Sequence, residues 1–176
     1  EKGSIQAVFT TWEPYGYLED GKAVGFELEI FAAVMDAMKR PVEFIERPWK
    51  RCLYMVQRGE ADVVISALKT SEREAFLYFP QEPISLSQTA FFTTTTNPIE
   101  FNGAYESLKD YTIGVVSGFS YGPDFDAAGF LTKDEATSSE QVLKKLLAGR
   151  YEIAVGNIAV ISSIAEKLGE RQNIRF

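Results

Sequence analysis

The first 65 residues alternate between strand-like and helix-like patterns, and this alternation limits the possible folds more than any other feature of the chain. Apolar runs at Ile5–Phe9, Val42–Ile45 and Ala61–Ile65 are typical of buried strands. Between them, apolar residues recur at helical spacing from Phe26 to Met38 and from Trp49 to Arg58. The order strand, helix, strand, helix, strand predicts a parallel sheet with right-handed crossover connections.

The helix predicted from Phe26 has an apolar face, which we expect to be buried before Pro41 ends the helix. The members of this face recur at every fourth position, with two more residues beside them: Phe26, Ile30, Val34 and Met38, then Phe31 and Met35. The acidic residues of the same helix are expected on solvent-exposed faces: Glu27, Glu29 and Asp36. The preceding stretch, Thr10–Gly25, is rich in turn-forming residues and predicts a long loop, of the kind that often carries ligand contacts.

A second α/β pattern begins near residue 96. The end of the extended stretch Ile84–Thr96 is β-branched and aromatic, which favours a strand over a flexible linker. The elements predicted after it are a short helix at Tyr105–Lys109, a strand at Thr112–Val116, a helix containing Val142–Leu147 behind the capping residues Thr137 and Ser138, a strand at Ile153–Val155 and a helix at Ile158–Leu168. We therefore predict two small α/β domains.

Composition excludes several functional classes. The chain of 176 residues is 45% hydrophobic, enough for a substantial core, and its net charge of -7 with scattered basic residues disfavours nucleic-acid binding. Histidine is absent, and Cys52 is the only cysteine, so a Ser-His-Asp triad, a disulfide and the usual zinc ligands are excluded. We expect no metal, no cofactor and no enzymatic activity. No apolar run approaches the roughly 20 residues of a membrane span, and we expect any signal peptide to have been removed.

The run from Ile65 to Arg73 predicts a site for a small anion. An apolar strand ends here in a loop that carries hydroxyl groups, Ser66, Thr70 and Ser71, and one arginine. The planar guanidinium of Arg73 can bind both oxygens of a carboxylate at once, and the carboxyl end of a parallel strand is a favoured place for a ligand. We therefore expect Arg73 to hold a small carboxylate.

Further motifs occur in a fixed order along nearly the whole chain. They are Glu13–Tyr17, Asp20–Glu27, Gly59–Asp62, Thr70–Arg73, Phe79–Ile84, Leu108–Gly118 and Leu147–Glu152. Each motif is weak alone, but their order and spacing resemble the bacterial extracellular solute-binding proteins of family 3, the amino-acid-binding type that feeds ABC transporters.

The resemblance implies a two-lobed α/β periplasmic binding protein (Venus flytrap) fold that closes on its ligand by a hinge motion. Lobe 1 would comprise residues 1–95 and lobe 2 residues 96–176, with the hinge near 92–98. It also implies a periplasmic monomer that captures its ligand between the lobes and delivers it to an ABC transporter permease in the inner membrane. Family members return to lobe 1 through a second hinge and a C-terminal segment, and we expect both to be absent here.

By the same resemblance, Arg73 grips the ligand carboxylate and the strand-end residues Ser66 and Leu68 line the pocket. Leu68 stands where a small hydroxyl residue is common, which removes one hydrogen bond. Trp12 falls where the family often places an aromatic ring over the ligand, and Trp49 where an apolar side chain packs below it. Both tryptophans are also compatible with ordinary core packing.

In the second lobe, the resemblance implies that Gly118, Phe119 and Ser120 lie at a helix N-terminus whose free backbone N–H groups contact the carboxylate. The alternative is that Gly118 only forms a turn and Ser120 only caps the helix. Asn157 stands where amino-acid binders usually carry a carboxylate for the ligand's α-ammonium group. Either Glu13 or another carboxylate supplies that charge, or the ligand is not a simple α-amino acid.

Two alternative functions are compatible with the same fold. One is an extracellular sensor module of a signalling receptor, because the run Pro48–Arg51 resembles family members whose transport role is not obvious. The other is an enzyme similar to the cyclohexadienyl dehydratases, which would need a proton donor such as Glu13 or Glu82 in its cleft. The leading interpretation remains a binding protein for a small carboxylate, which requires no covalent chemistry.

Overall fold

A computed structural model describes residues 3–97 and 99–176, and these fall into two compact units. The first unit ends at Leu86 and the second begins at Ser87. This division precedes the boundary predicted between residues 95 and 96, because the strand at Thr89–Thr94 pairs with a strand of the second unit. Pro98, which belongs to the predicted hinge near 92–98, lies outside the described residues.

The first unit contains a parallel sheet with helical crossover connections. In chain order it has β1 (Ile5–Phe9), β2 (Tyr17–Glu19), β3 (Lys22–Val24), α1 (Phe26–Ala37), β4 (Val42–Glu46), α2 (Trp49–Gln57), β5 (Val63–Val64) and α3 (Ser71–Glu74). β1 lies between β4 and β5 and is parallel to both, with Ala7 beside Phe44 on one side and Val63 on the other. The predicted alternation of strands and helices is confirmed.

The prediction of a long loop at Thr10–Gly25 is wrong, because this stretch contains the antiparallel hairpin of β2 and β3. The hairpin turns at Asp20 and Gly21, which both have positive φ, 49° and 75°. An Asp-Gly pair suits a two-residue hairpin turn of this kind, so the turn signal was present in the sequence. The flanking strands of three residues each were too short to show a recognisable alternation.

The prediction of the buried face of α1 is wrong for four of its six residues. The helix packs through Leu28, which was not predicted, and Phe31, which was, on a core that includes Phe9 and Ile65. The other residues of the predicted face include four that are between 38% and 60% exposed: Phe26, Ile30, Val34 and Met38. Conversely, Glu27 is only 2% exposed, although we expected it on a solvent-exposed face.

The second unit contains a five-stranded mixed sheet. Its elements are β6 (Thr89–Thr94), a 3-10 helix (Tyr105–Leu108), β7 (Thr112–Val116), α4 (Pro123–Ala127), β8 (Thr132–Ala136), α5 (Ser139–Leu147), β9 (Ile153–Asn157), α6 (Ile158–Lys167), a 3-10 helix (Arg171–Asn173) and β10 (Ile174–Arg175). The strand order is β10-β6-β9-β7-β8, with β7 parallel to β8 and β9, and with β6 antiparallel to β9 and β10. The second unit thus contains both strands and helices, while β8 and β10 were missed and α4 begins later in the chain than predicted.

Two apolar layers stabilise the second unit, because neighbouring residues of a strand face opposite sides of the sheet. Phe92 and Ala154 pack on one side with residues of α5 and α6. Ile153 and Val155 pack on the other side with Phe125 of α4. Within residues 3–97 and 99–176, no helix is long and apolar enough to cross a membrane.

Candidate functional site

Arg73 lies in the short helix α3, which follows the end of β5. The prediction of a loop up to Arg73 is thus corrected: Thr70 caps a helical turn, and its side-chain oxygen accepts a hydrogen bond from the Arg73 N–H at 3.3 Å. The arginine is only 6% exposed. Its Nη1 donates a hydrogen bond to the Leu68 carbonyl oxygen at 2.7 Å, so the guanidinium group is held by the loop that precedes it.

Trp49 forms the second support of the arginine. It is the first residue of α2 and is 4% exposed. Its ring centroid lies 5.2 Å from the guanidinium carbon of Arg73, which is within cation–π distance. The ring is therefore both a core residue and a platform for the arginine. Contact between Trp49 and a ligand remains a prediction.

Trp12 and Glu13 lie on the segment between β1 and β2, and both are half-buried. The Trp12 ring stacks on Tyr15 with a centroid distance of 4.3 Å, and Tyr15 in turn packs on Phe26 at 4.8 Å. A side chain at Gly25 would place its Cβ 2.5 Å from the Tyr15 carbonyl oxygen, so only glycine fits there. This close approach fixes the segment that carries Trp12 against the start of α1.

Ser66 follows the end of β5 in an unusual backbone conformation, with φ of 67°. Its hydroxyl group donates a hydrogen bond to Oε2 of Glu27, and the hydroxyl group of Ser85 donates one to Oε1 of the same carboxylate. The side chain of Leu68 is exposed, and it is its carbonyl group that holds Arg73. Glu27 and Ser85 were not predicted as site residues from the sequence, although Glu27 ends the Asp20–Glu27 motif that carried part of the resemblance.

In the second unit, Gly118 turns the chain after β7 with φ of 78°. The prediction that Phe119 and Ser120 start a helix is corrected, because α4 begins only at Pro123. The Phe119 N–H donates to the Val116 carbonyl oxygen at 3.1 Å, and the Ser120 hydroxyl group bonds the carboxylate of Asp126. These three residues thus form a turn that is held by side chains of the second unit.

Tyr121 supports this turn from inside the second unit. Its hydroxyl oxygen accepts a hydrogen bond from the Val116 N–H at 2.7 Å, and Asp126 accepts one from the Tyr121 N–H at 3.0 Å. Burial raises the pKa of the Tyr121 hydroxyl group above its ordinary value. The phenol therefore remains neutral and acts as a fixed support at the end of β7.

Asn157 lies at the carboxyl end of β9, is buried, and caps α6. Its Oδ1 accepts a hydrogen bond from the Val160 N–H at 3.0 Å. Asparagine is among the best N-cap residues, which gives this side chain a structural role in addition to the predicted contact with a ligand. In the part of the chain that the structure describes, no group of three His, Cys, Asp or Glu residues could hold a metal ion.

The motifs along the chain match those of a known protein family. Residues 5–170 match the profile of the bacterial extracellular solute-binding proteins, family 3. The chain belongs to this family. Its members are typically periplasmic and bind small amino-acid ligands.

Individual relatives are distant in sequence. A probable histidine-binding protein of Neisseria gonorrhoeae is 23% identical over 149 residues, which cover 81% of this chain and 54% of the relative. The chain thus spans about half the length of the curated relative that it matches.

Solved structures agree on the fold. An ancestral arginine-binding protein bound to arginine superposes with a TM-score of 0.83 at 20% identity, covering 99% of this chain and 78% of the other. A histidine kinase sensor domain with similarity to periplasmic binding proteins superposes with a TM-score of 0.85 at 18% identity, covering 98% and 75%. The predicted α/β fold of periplasmic binding proteins is therefore confirmed.

Proposed function

We propose that this protein is a periplasmic solute-binding protein that captures a small carboxylate, an amino acid or a related compound, and delivers it as a monomer to an ABC transporter permease. The observation that carries the proposal is the buried guanidinium group of Arg73 in α3, the helix that follows β5, held by the Leu68 carbonyl oxygen and the Trp49 ring. The names of the relatives support the ligand class, since they include proteins that bind arginine and histidine.

The position of Arg73 favours a carboxylate over a neutral ligand. A charged hydrogen bond is worth about 1.5–3 kcal/mol, more than a neutral one, and burial strengthens it further. Because Leu68 and Trp49 already fix the side chain, little conformational entropy is lost when the ligand binds. The site therefore has the properties expected of a preorganised carboxylate receptor.

The resemblance assigns further ligand contacts to the second unit, namely the turn Gly118–Ser120 and Asn157, and these remain predictions. Asn157 offers no charge to a ligand ammonium group. We propose that Glu13, which lies half-buried beside Trp12 in the first unit, supplies it. A Glu13→Gln variant should then lose affinity for amino acids and keep its affinity for the same ligands without an amino group.

A thermal-shift screen with amino acids, polyamines and dicarboxylates tests the proposal, because a ligand that binds the folded state raises the melting temperature. Each amino acid that raises it is then compared with its carboxamide, which lacks the charged carboxylate. The proposal predicts a shift with the acid and little or none with the amide. Equal shifts with both compounds would contradict carboxylate recognition by Arg73.

A second candidate is a ligand-sensing module, which the structural similarity to a histidine kinase sensor domain favours. Both functions begin with the same binding step, so affinity alone does not separate them. The two functions are separated by deleting the gene and measuring uptake of the labelled ligand, since uptake falls only if the protein serves a transporter. The proposal contains no catalytic step, and turnover of prephenate or arogenate would contradict it.

A further inference from the structure

Glu27 connects three segments of the first unit that are far apart in sequence. The residue lies in the first turn of α1, and its carboxylate accepts hydrogen bonds from Ser66 at the end of β5 and from Ser85 in the segment before β6. The side chain is almost completely buried. A carboxylate in such a place depends on its hydrogen-bond donors, because its loss of hydration is otherwise uncompensated.

The Ser66 end of this connection is under backbone strain. Its φ of 67° is in the left-handed region, which residues other than glycine, asparagine and aspartate rarely occupy. Such a conformation persists only where the surroundings enforce it. The hydrogen bond to Glu27 is the contact that holds the Ser66 side chain in this structure.

The same connection reaches the arginine of the proposed carboxylate site. Two residues after Ser66, the Leu68 carbonyl oxygen accepts the hydrogen bond from the Arg73 guanidinium group. A rotation of the chain at Ser66 moves this carbonyl group and removes a support of Arg73. The position of Arg73 thus depends on the conformation that Glu27 holds at Ser66.

We propose that Glu27 is a positioning residue for the Arg73 site: it holds Ser66 in its strained conformation and so fixes the Leu68 carbonyl group that orients the guanidinium group. This proposal rests on the proposed function for its effect on affinity, but its structural part is independent of any ligand. Glu27 itself is buried, accepts a hydrogen bond from Ser66 and is not assigned a ligand contact.

The ligand-free test compares amide hydrogen exchange in the wild-type protein with Glu27→Leu, which removes both acceptor oxygens, and with Glu29→Leu as an exposed control on the same helix. The amide of Arg73 donates a hydrogen bond to the Thr70 side chain and that of Leu77 donates one to the Arg73 carbonyl oxygen, so both report on α3 and the turn after it. We expect exchange there to accelerate about tenfold or more in Glu27→Leu and to stay unchanged in Glu29→Leu. Unchanged exchange in Glu27→Leu would overturn the proposal, whether or not a ligand is known.

Two milder variants keep the test decisive if Glu27→Leu does not fold. Glu27→Gln retains one acceptor oxygen and adds an amide donor that a serine hydroxyl group accepts, so we expect nearly normal exchange. Ser66→Ala removes only the hydrogen bond to Glu27, and we expect accelerated exchange at Arg73. Wild-type exchange in Ser66→Ala would overturn the proposal by itself.

The affinity test uses L-arginine and L-histidine as probes, with dissociation constants measured well below each melting temperature. We expect Glu27→Leu to raise the dissociation constant about tenfold and Glu27→Gln less than about threefold. In an Arg73→Ala background, Glu27→Leu should have no further effect, because it acts through the arginine. The proposal would be overturned if Glu27→Leu weakened binding equally in the wild-type and Arg73→Ala backgrounds, or if it lowered the melting temperature and left the affinity unchanged. Failure of both probes to bind the wild-type protein would count against the proposed function only.

Discussion

Replacing Trp49 with leucine is expected to destabilise the first unit and to loosen Arg73. The ring is 4% exposed, so the substitution leaves a cavity as well as removing the cation–π contact at 5.2 Å. Replacing a buried tryptophan with alanine costs about 3–5 kcal/mol, and leucine restores part of the lost volume, which gives about 2–3 kcal/mol for packing. The lost contact with the guanidinium group adds about 1 kcal/mol.

The measurement is urea unfolding followed by circular dichroism, because tryptophan fluorescence changes with the substitution itself. Trp49→Phe retains an aromatic face and should lose only about 1–2 kcal/mol, since most of the packing and the cation–π contact remain. A double-mutant cycle with Arg73→Met isolates the contribution of the ring–cation pair, for which we expect about 1 kcal/mol. Additive effects within about 0.3 kcal/mol would refute the idea that Trp49 supports Arg73.

Three further predictions concern residues outside the ligand site. Burial raises the pKa of Cys52 from 9.0 to about 12, so the thiol loses its proton at lower pH in the unfolded chain than in the folded one. The free energy of unfolding should therefore fall as pH rises from about 9 towards 12, and Cys52→Ala should reduce this pH dependence in chemical unfolding. Ser138→Ala should cost about 1 kcal/mol of unfolding free energy because it removes the N-cap of α5, whereas the neighbouring Thr137→Ala should cost less than about 0.5 kcal/mol. Gly25→Ala should lower the melting temperature strongly, since its Cβ would meet the Tyr15 carbonyl oxygen at 2.5 Å, and near wild-type melting would contradict that packing.

The parallel sheet of the first unit could be predicted because its strands are apolar runs separated by helices. The position of α1 on that sheet could not. Phe26 and Met38 look like the ends of a buried face, yet both are exposed and the helix packs through Leu28, beside Phe31 of the predicted face. Which of two possible apolar faces is buried depends on the tertiary contacts of the helix, and periodicity alone does not contain that information.

In the second unit, the edge strand β8 also could not be predicted from its sequence pattern. β8 reads Thr132–Ala136 with three charged residues in the middle, so its sequence does not favour a strand, although β7 provides a full parallel register for it. The start of α4 was missed for a different reason. Gly122 and Pro123 are a normal helix start, with proline at the first helical position, but the resemblance to the family placed the helix start at Gly118–Ser120.

The candidate site was partly accessible from the sequence. The Ile65–Arg73 run led to the prediction of an anion site at Arg73, because hydroxyl residues and one arginine after a strand are a recognisable pattern, and the structure buries this arginine. The role of Glu27 was not accessible, since its two serine partners lie 39 and 58 residues away along the chain. Long-range polar contacts of this kind are specified by the folded backbone and have no local sequence signature.

The most direct test of the central claim is the affinity of Arg73→Ala for the amino acid that gives the largest thermal shift, measured by titration calorimetry. Arg58→Ala, an exposed arginine at the end of α2, is the matched control. We expect Arg73→Ala to lose about 2 kcal/mol or more of binding free energy, a factor of about 30 in the dissociation constant, and Arg58→Ala to bind like wild type. Wild-type affinity in Arg73→Ala would contradict the assignment of the carboxylate to this residue.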